Sequence, residues 1–182
     1  MKHIAIILAD GFEEVEAITT INLLRRATCK VDILGVEHLR TTGARSITIE
    51  CDEIFNYYSC LDYDGVVFVG GMQNAKSLSE NSSIIDLINY YLDADKLVAG
   101  ICATPALVFP KTNMADGMDC TCYPDDELKS NLSRFNFVDK NVVVSKNVIT
   151  SQSPFTAFEF ALNIVDYLGL NAELLLASLQ GK

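Results

Sequence analysis

Short apolar runs alternate with amphipathic stretches along most of the chain. Four of these runs are almost continuously hydrophobic, which is typical of strands buried on both faces of a parallel sheet. They cover residues 2–8, 29–36, 64–69 and 96–101. A strand, a helix and a second strand at the start of the chain predict a right-handed βαβ unit. The whole alternation predicts an α/β sandwich with helices on both faces of a mostly parallel sheet.

The first helix is predicted over Glu13–Ala27 from its apolar periodicity. Its buried face is predicted from apolar residues that recur every three positions: Val15, Ile18, Ile21 and Leu24. Glu13 and Glu14 begin this helix, where the macrodipole favours negative charge. Both glutamates are expected to be exposed to solvent.

Later helices are predicted at three places: Asn81–Asp93, Thr156–Leu168 and Ala172–Leu179. Ser83 and Asp86 have the spacing of a capping box in the first of these, and Thr156 and Glu159 have it in the second. A loop is expected at Gly70–Gly71, the glycine pair that follows the predicted strand at residues 64–69. Residues 113–136 are predicted to be the least regular part of the chain.

The composition predicts a globular protein. Hydrophobic residues make up 49% of the chain and the mean hydropathy is +0.22, which is enough for a core and too apolar for a disordered chain. We expect residues 1–182 to form a single domain. The excess of 24 acidic over 14 basic residues gives a net charge of −10, which argues against a nucleic-acid surface.

The amino-terminal apolar run is interpreted as a strand. It meets acidic residues at once and lacks a small-residue cleavage site, so a signal peptide is not predicted. No apolar run approaches the ~20 residues of a membrane span, and no membrane association is expected. We therefore expect a cytoplasmic location, in which the six cysteines are reduced thiols.

The stretch VAGICATPALVF, residues 98–109, places a cysteine between two predicted elements. The apolar residues before Cys102 predict a strand, and Pro105 favours the first turn of a helix. Cys102 is therefore predicted at a nucleophile elbow, a strained turn that holds a reactive atom clear of the sheet. The positive end of the helix favours its thiolate. The alternative is a buried cysteine that only fills the core.

Partners for Cys102 are expected at the carboxyl ends of the strands, where open α/β sheets bind ligands. Gly70–Gly71 ends one strand, and its amides can bind an oxyanion together with the amide of Ala103. Glu16 lies one turn into the first helix. If Glu16 is buried near Cys102, the two acids share one proton. The alternatives are a glycine pair that merely ends a strand and an exposed Glu16.

Histidine is scarce in this sequence. His3 and His38 are the only two, and neither follows Cys102, where Ala103 stands. A cysteine–histidine protease is therefore not predicted. No cofactor is expected. No metal site is expected either, because Cys120 and Cys122 lack a matching pair or a histidine.

Several stretches together resemble the DJ-1/PfpI superfamily, and its DJ-1 (ThiJ-like) branch in particular. They are ILADGFEEVEA, FVGGMQNAKSLSE, AGICATPALV and ITSQSPFTAFEFALNIVDYL, in family order over nearly the whole chain. The resemblance implies a flavodoxin-like three-layer α/β/α sandwich with a cysteine elbow. It also implies a homodimer.

The resemblance assigns roles to individual residues. It implies that Cys102 is the oxidation-prone nucleophile and that Glu16 is its carboxylate partner. Gly71 and Ala103 match the amides that bind an oxyanion. Two arginines match residues near the family site. Arg45 matches one in the same chain, and Arg26 matches one that the dimer partner contributes.

The sequence departs from the family pattern at two loops. Relatives with glyoxalase or deglycase activity carry a histidine where this chain has Tyr123. A tyrosine pKa near 10 makes it a poor general base at neutral pH, so Glu16 would handle protons alone. The glycine–proline–glycine turn of the family is Ser153-Pro154-Phe155 here. Phe155 is expected to narrow the pocket or to face the dimer partner.

Two functions are expected from these features. The first is a cysteine-dependent stress protein that acts on small reactive carbonyls or glycated adducts, as a glyoxalase or deglycase. The second is a redox sensor or chaperone without catalysis, in which Cys102 oxidises to a sulfinate. A further hypothesis is that Cys120 or Cys122 resolves a Cys102 sulfenic acid as a disulfide. Its alternative is that both are unrelated thiols.

Overall fold

The computed structural model describes residues 1–181. Within them the strands are β1 (His3–Leu8), β2 (Lys30–Gly35), β3 (Arg40–Thr42), β4 (Thr48–Glu50), β5 (Glu53–Ile54), β6 (Gly65–Phe68), β7 (Leu97–Ile101), β8 (Asp119–Cys120), β9 (Asn136–Phe137), β10 (Val142–Ser145) and β11 (Val148–Ser151). The helices are α1 (Glu14–Arg26), α2 (Met72–Glu80), α3 (Ser82–Asp93), α4 (Thr104–Leu107), α5 (Asp126–Asn131), α6 (Ala157–Tyr167) and α7 (Ala172–Leu179). Three 3₁₀ turns lie at Tyr58–Asp62, Phe109–Lys111 and Pro154–Thr156.

The central sheet has seven strands in the order β10-β11-β7-β6-β1-β2-β5. All neighbouring strands are parallel except β10 and β11, which form an antiparallel pair. The chain moves from β1 to β2 on one side and later returns to β6 on the other side. This reversal is a topological switch point, and it opens a crevice at the carboxyl ends of β1 and β6.

Two layers of helices cover the sheet. Successive side chains of β1 point to opposite faces, so Ile4 and Ile6 join one apolar core and Ala5 and Ile7 join the other. The first core includes residues of α1, α6 and α7, and the second includes residues of α2 to α5. This arrangement confirms the predicted three-layer α/β/α sandwich with a mostly parallel sheet.

The predicted buried face of α1 is wrong for two residues. Ile21 and Leu24 are buried, but Val15 and Ile18 are 52% and 48% exposed. A strict three-residue spacing turns by about 60° per step on a helix of 3.6 residues per turn, so four such residues spread over half of its circumference. Glu14 is predicted to be exposed, but it is buried on the inner face of α1.

The caps of two helices also differ from the predictions. At the start of α3 the Asn81 side chain accepts hydrogen bonds from the free backbone amides. It takes the place of the predicted capping box of Ser83 and Asp86. At the start of α6 the reciprocal box joins Ser153 and Thr156 in the preceding 3₁₀ turn. The predicted partner Glu159 instead accepts a hydrogen bond from the side chain of Asn141.

Two regions contain more regular structure than the sequence predicted. The loop expected after β6 is short, because α2 begins at Met72 directly behind the glycine pair. Residues 113–136 include β8 and α5, and β9 begins at the end of this stretch. The guanidinium of Arg134 holds part of this region by donating to the carbonyls of Pro110, Thr112 and Met114. Among residues 1–181, no helix is both long enough and apolar enough to cross a membrane.

Candidate active site

Cys102 occupies the bend between β7 and α4. Its φ of 65° lies in the left-handed region, which is strained for a residue with a side chain. Its N–H donates to the Ser151 carbonyl at 2.9 Å, and its carbonyl accepts from the Tyr123 N–H at 2.9 Å. Pro105 stands in the first turn of α4 as predicted. The elbow geometry expected from the sequence is therefore confirmed, and the backbone of Cys102 is held on both sides.

Glu16 lies at the same edge of the sheet and is completely buried. Its Oε2 accepts a hydrogen bond from the Gly70 N–H at 2.6 Å. An ideal Cβ on Gly70 would lie 2.5 Å from Cβ of Cys102 and 2.7 Å from Oε2 of Glu16. The structure thus brings Glu16 and Cys102 together against Gly70, where only glycine leaves enough room.

Burial raises the pKa of Glu16 to about 8, although the Gly70 amide and the Cys102 thiol act in the opposite direction. Glu16 therefore keeps its proton at neutral pH. Its Oε1 atom is buried and has no hydrogen-bond partner among the described residues. Because Oε2 already accepts from an N–H group, Oε1 is the better position for the proton.

Burial also raises the pKa of the Cys102 thiol, and an ionised Glu16 raises it further. The backbone amides of Gly71 and Ala103 lower it. A protonated Glu16 removes the charge that opposes the thiolate, so the two groups titrate as a pair. Gly71 reaches this position with a φ of 88°, and a Cβ there would lie only 2.1 Å from the Gly11 carbonyl oxygen.

A cavity of about 520 Å³ opens beside Cys102. It is lined by Gly71, Ala103 and other residues predicted for the site: Arg45, Tyr123 and Pro154. Tyr123 is 43% exposed, so its side chain is accessible from solvent. The structure therefore gathers most of the predicted site residues around one space large enough for a small organic molecule.

Arg45 is held at this cavity through a residue that the sequence analysis missed. The buried Glu14 Oε1 accepts from the backbone N–H of Arg45 at 2.6 Å and of Ile47 at 3.4 Å. Glu14 thereby fastens the turn between β3 and β4 over the start of α1. No periodicity in the sequence distinguishes this anchoring glutamate from its neighbour Glu13.

Arg26 does not line this cavity. It lies in the last turn of α1, where its Nε donates to the Asn22 side chain at 2.9 Å on the exposed surface. One chain by itself does not bring Arg26 to Cys102, and its role from a dimer partner stays a prediction. Met72 and Gln73 line the cavity, although the sequence analysis gave neither a role.

Cys120 and Cys122 are free thiols buried near the segment that contacts Cys102. Burial raises the pKa of Cys120 to about 12 and that of Cys122 to about 11. Their role as resolving thiols stays a prediction. Over residues 1–181, no group of three or more histidine, cysteine or acidic residues is placed to hold a metal ion.

The fold and the site define a flavodoxin-like sandwich with a cysteine elbow and a buried carboxyl partner. The chain belongs to the DJ-1/PfpI family, whose sequence model matches residues 2–167. This assignment confirms the resemblance noted in the sequence. It covers every residue of the candidate site.

Similar proteins come from several different organisms. Protein dj-1beta of Drosophila melanogaster is 36% identical over 92% of this chain and 89% of its own length. The crystal structure of that protein matches this structure with a TM-score of 0.90. The match covers 98% of this chain and 97% of the Drosophila melanogaster chain. Oxidised DJ-1 of Toxoplasma gondii has a TM-score of 0.88 at 26% identity, covering 99% and 98% of the two chains.

Protein DJ-1 homolog A of Arabidopsis thaliana is 32% identical over 90% of this chain. The alignment spans only 42% of that protein. This chain therefore covers about two fifths of the length of this plant relative.

Proposed function

We propose that the protein is a DJ-1-like, cysteine-dependent stress protein that acts on small reactive carbonyls, as a glyoxalase or deglycase. One observation carries the proposal. A buried carboxyl group with a raised pKa lies beside a strained cysteine at an accessible cavity. In the proposed mechanism the pair shares one proton, so that Cys102 attacks as a thiolate while Glu16 holds the proton that it later donates.

The chemistry can be written for a 2-oxoaldehyde such as methylglyoxal. The Cys102 thiolate adds to the aldehyde carbon, and the new alkoxide takes the proton of Glu16 to form a hemithioacetal. The Glu16 carboxylate then removes the hydrogen on that carbon and returns it to the neighbouring carbon, while a proton passes between the two oxygens. The product is a thioester. Water hydrolyses it to a 2-hydroxy acid and frees the thiol.

The amides of Gly71 and Ala103 support this sequence of steps, because they can bind the alkoxide while it forms. Arg45 adds a positive charge at the cavity. Tyr123 stands where relatives with this activity carry histidine, so the proposed proton transfers rest on Glu16. We expect slow turnover as a result.

The proposal is tested by measuring lactate formed from methylglyoxal, with Cys102→Ser and Glu16→Gln as comparisons. We expect turnover by the unmodified protein that falls at least a hundredfold in both variants. Turnover by the unmodified protein that does not exceed that of Cys102→Ser would reject the enzymatic function. Thermal unfolding of each variant separates lost chemistry from lost folding.

A redox sensor or chaperone is a second candidate function, favoured by the unpartnered Oε1 of the buried Glu16. A protonated carboxyl group there can donate a hydrogen bond to an oxygen of a Cys102 sulfinate. The Toxoplasma gondii relative is itself described as oxidised. Mass spectrometry after mild peroxide tests this. We expect two added oxygens on Cys102, and dominant further oxidation to sulfonate would contradict the stabilising role of Glu16.

We also propose that residues 1–182 act as one domain, as a homodimer in the cytoplasm. Support for the dimer comes from apolar side chains that α1 and the start of α6 leave exposed. These are Val15, Ile18, Phe155 and Phe158. Phe155 is 91% exposed, and a large aromatic side chain in that position is typical of an interaction surface. A partner seated there would offer Arg26 a route to the site of the other chain.

A further inference from the structure

The peptide unit between Gly70 and Gly71 controls one of the two amides beside Cys102. In a trans peptide the C=O of Gly70 and the N–H of Gly71 point in opposite directions. Fixing the carbonyl therefore fixes the direction of the amide. Within residues 1–181, the Gly71 N–H donates to no backbone carbonyl. The glycine pair lies close to the Cys102 thiol, since an ideal Cβ on Gly70 would be 3.1 Å from its sulfur, and the Gly71 amide lowers the pKa of that thiol.

This peptide unit has little intrinsic stiffness. It joins two glycines, and neither has a Cβ that would restrict rotation of the unit. Hydrogen bonds must therefore hold it. The Gly70 carbonyl accepts from the Glu13 N–H at 3.1 Å and from the Asn74 side-chain amide at 3.1 Å.

Asn74 is itself completely buried and held in one orientation. Its Oδ1 accepts from the Ala9 N–H at 2.7 Å. Its Nδ2 donates to the Val69 carbonyl at 2.7 Å as well as to Gly70. If the amide oxygen and nitrogen were exchanged, the nitrogen would face the Ala9 N–H and the oxygen would face the Val69 and Gly70 carbonyls. All three hydrogen bonds would then be lost. The side chain thus connects the end of β1 to the glycine pair after β6.

We propose that Asn74 is a positioning residue, which holds the Gly70–Gly71 peptide so that the Gly71 N–H points at the Cys102 sulfur. This deepens the proposed function and rests on it, because it concerns the same thiol. Asn74 is not among the residues that line the cavity. It acts through the backbone that it holds.

The test is the pH profile of Cys102 alkylation by iodoacetamide, followed by mass spectrometry on the full chain. In Asn74→Ala the Gly70 carbonyl keeps only the Glu13 donor, so the Gly71 amide rotates away from the sulfur more often. We expect the midpoint of the profile to rise and the rate at pH 7 to fall by about threefold to tenfold.

Asn147→Ala is the matched control. Asn147 is also buried, and its amide donates to the Lys96 and Tyr91 carbonyls away from the candidate site. We expect both variants to unfold at lower temperature, and only Asn74→Ala to change the alkylation profile. If Asn74→Ala does not fold, Asn74→Ser keeps one donor and is expected to show a smaller shift in the same direction.

The outcomes separate this inference from the proposed function. A folded Asn74 variant with the profile of the unmodified protein overturns the positioning role alone. An unmodified protein whose Cys102 is alkylated no faster than the other, buried thiols overturns the positioning role and the proposed function together. A shift shared equally by Asn147→Ala also overturns the inference, because it would reflect lost stability.

Discussion

Glu16 and Cys102 both pack against Gly70, so close that one added methyl group would touch both side chains. Residue 16 comes from the first helix and residue 102 from the elbow after β7. The glycine between them donates its N–H to the carboxyl group. This contact couples the ionisation of the two acids, and most properties expected of the site follow from it.

Replacing Glu16 with glutamine should change the shape of the Cys102 titration. Two coupled acids lose their protons in two steps that belong to the pair, whereas a lone thiol shows one. We expect a broad, two-step profile of alkylation rate against pH in the unmodified protein, with one step near pH 8. Glu16→Gln should give a single step. Glu173→Gln, at an exposed position on α7, is the control, and single steps in all three proteins would contradict the coupling.

Stability should fall as pH rises through neutrality. The pKa of Glu16 is about 8 in the folded protein and 4.5 for the ordinary group, so the folded state holds this proton more tightly than the unfolded chain. The stabilisation is complete below pH 4.5 and is lost as pH rises through 8. The difference is about 5 kcal/mol for this group by linkage. Urea unfolding at several pH values measures it.

The Glu16→Gln variant serves as the comparison for this pH dependence. Its side chain can still accept from the Gly70 N–H but does not titrate. We expect its stability to change by about 1 kcal/mol or less over the same interval from this site. An equally steep decline in the variant would show that other groups cause it.

Adding a methyl group at Gly70 should disable the site. In Gly70→Ala the new Cβ would overlap with Cys102 and Glu16, so the protein should lose about 1–3 kcal/mol of stability together with its Cys102 reactivity. Gly65→Ala is matched to it. That residue begins β6, the strand that precedes Gly70, and its Cβ would lie 2.8 Å from Cβ of Leu97. We expect similar destabilisation in both and altered alkylation only in Gly70→Ala.

Histidine at position 123 should increase turnover of methylglyoxal. Tyr123 lines the cavity and is partly exposed, so the smaller ring fits without repacking the core. An imidazole titrates near neutral pH and can share the proton transfers with Glu16. We expect a gain of about tenfold in kcat for Tyr123→His and none for Tyr123→Phe. A gain in both would point to ring size and not to proton transfer.

A charge on the outer face of α1 should weaken the proposed dimer. Ile18 is about half exposed, and Ile18→Glu would place a carboxylate within the apolar surface. Sedimentation should show a dimer for the unmodified protein and a larger share of monomer for the variant. Leu39→Glu, at a residue 45% exposed outside α1, is the control. A monomeric unmodified protein would exclude the dimer.

Local signals in the sequence were sufficient for the elbow and for most elements. The apolar run that ends at Ile101, followed by Pro105, is a pattern of neighbours along the chain, and the structure has the predicted strand, bend and helix. Apolar periodicity did not predict α2, because its residues Met72–Glu80 are mostly polar and small. Apolar periodicity also predicts a buried Val15, because a spacing of three residues resembles the spacing along one helix face.

The sequence by itself determined the α/β alternation and the strained cysteine, because both depend on residues close together in the chain. Only the tertiary structure decided that Glu16 and Glu14 are buried and that Asn74 holds the glycine pair. The hydrogen bonds of Glu16 with Gly70, of Glu14 with Arg45 and of Asn74 with Ala9 join residues 54, 31 and 65 positions apart. They exist because the order of the strands places the end of β1 beside the end of β6, and local periodicity carries no information about that order.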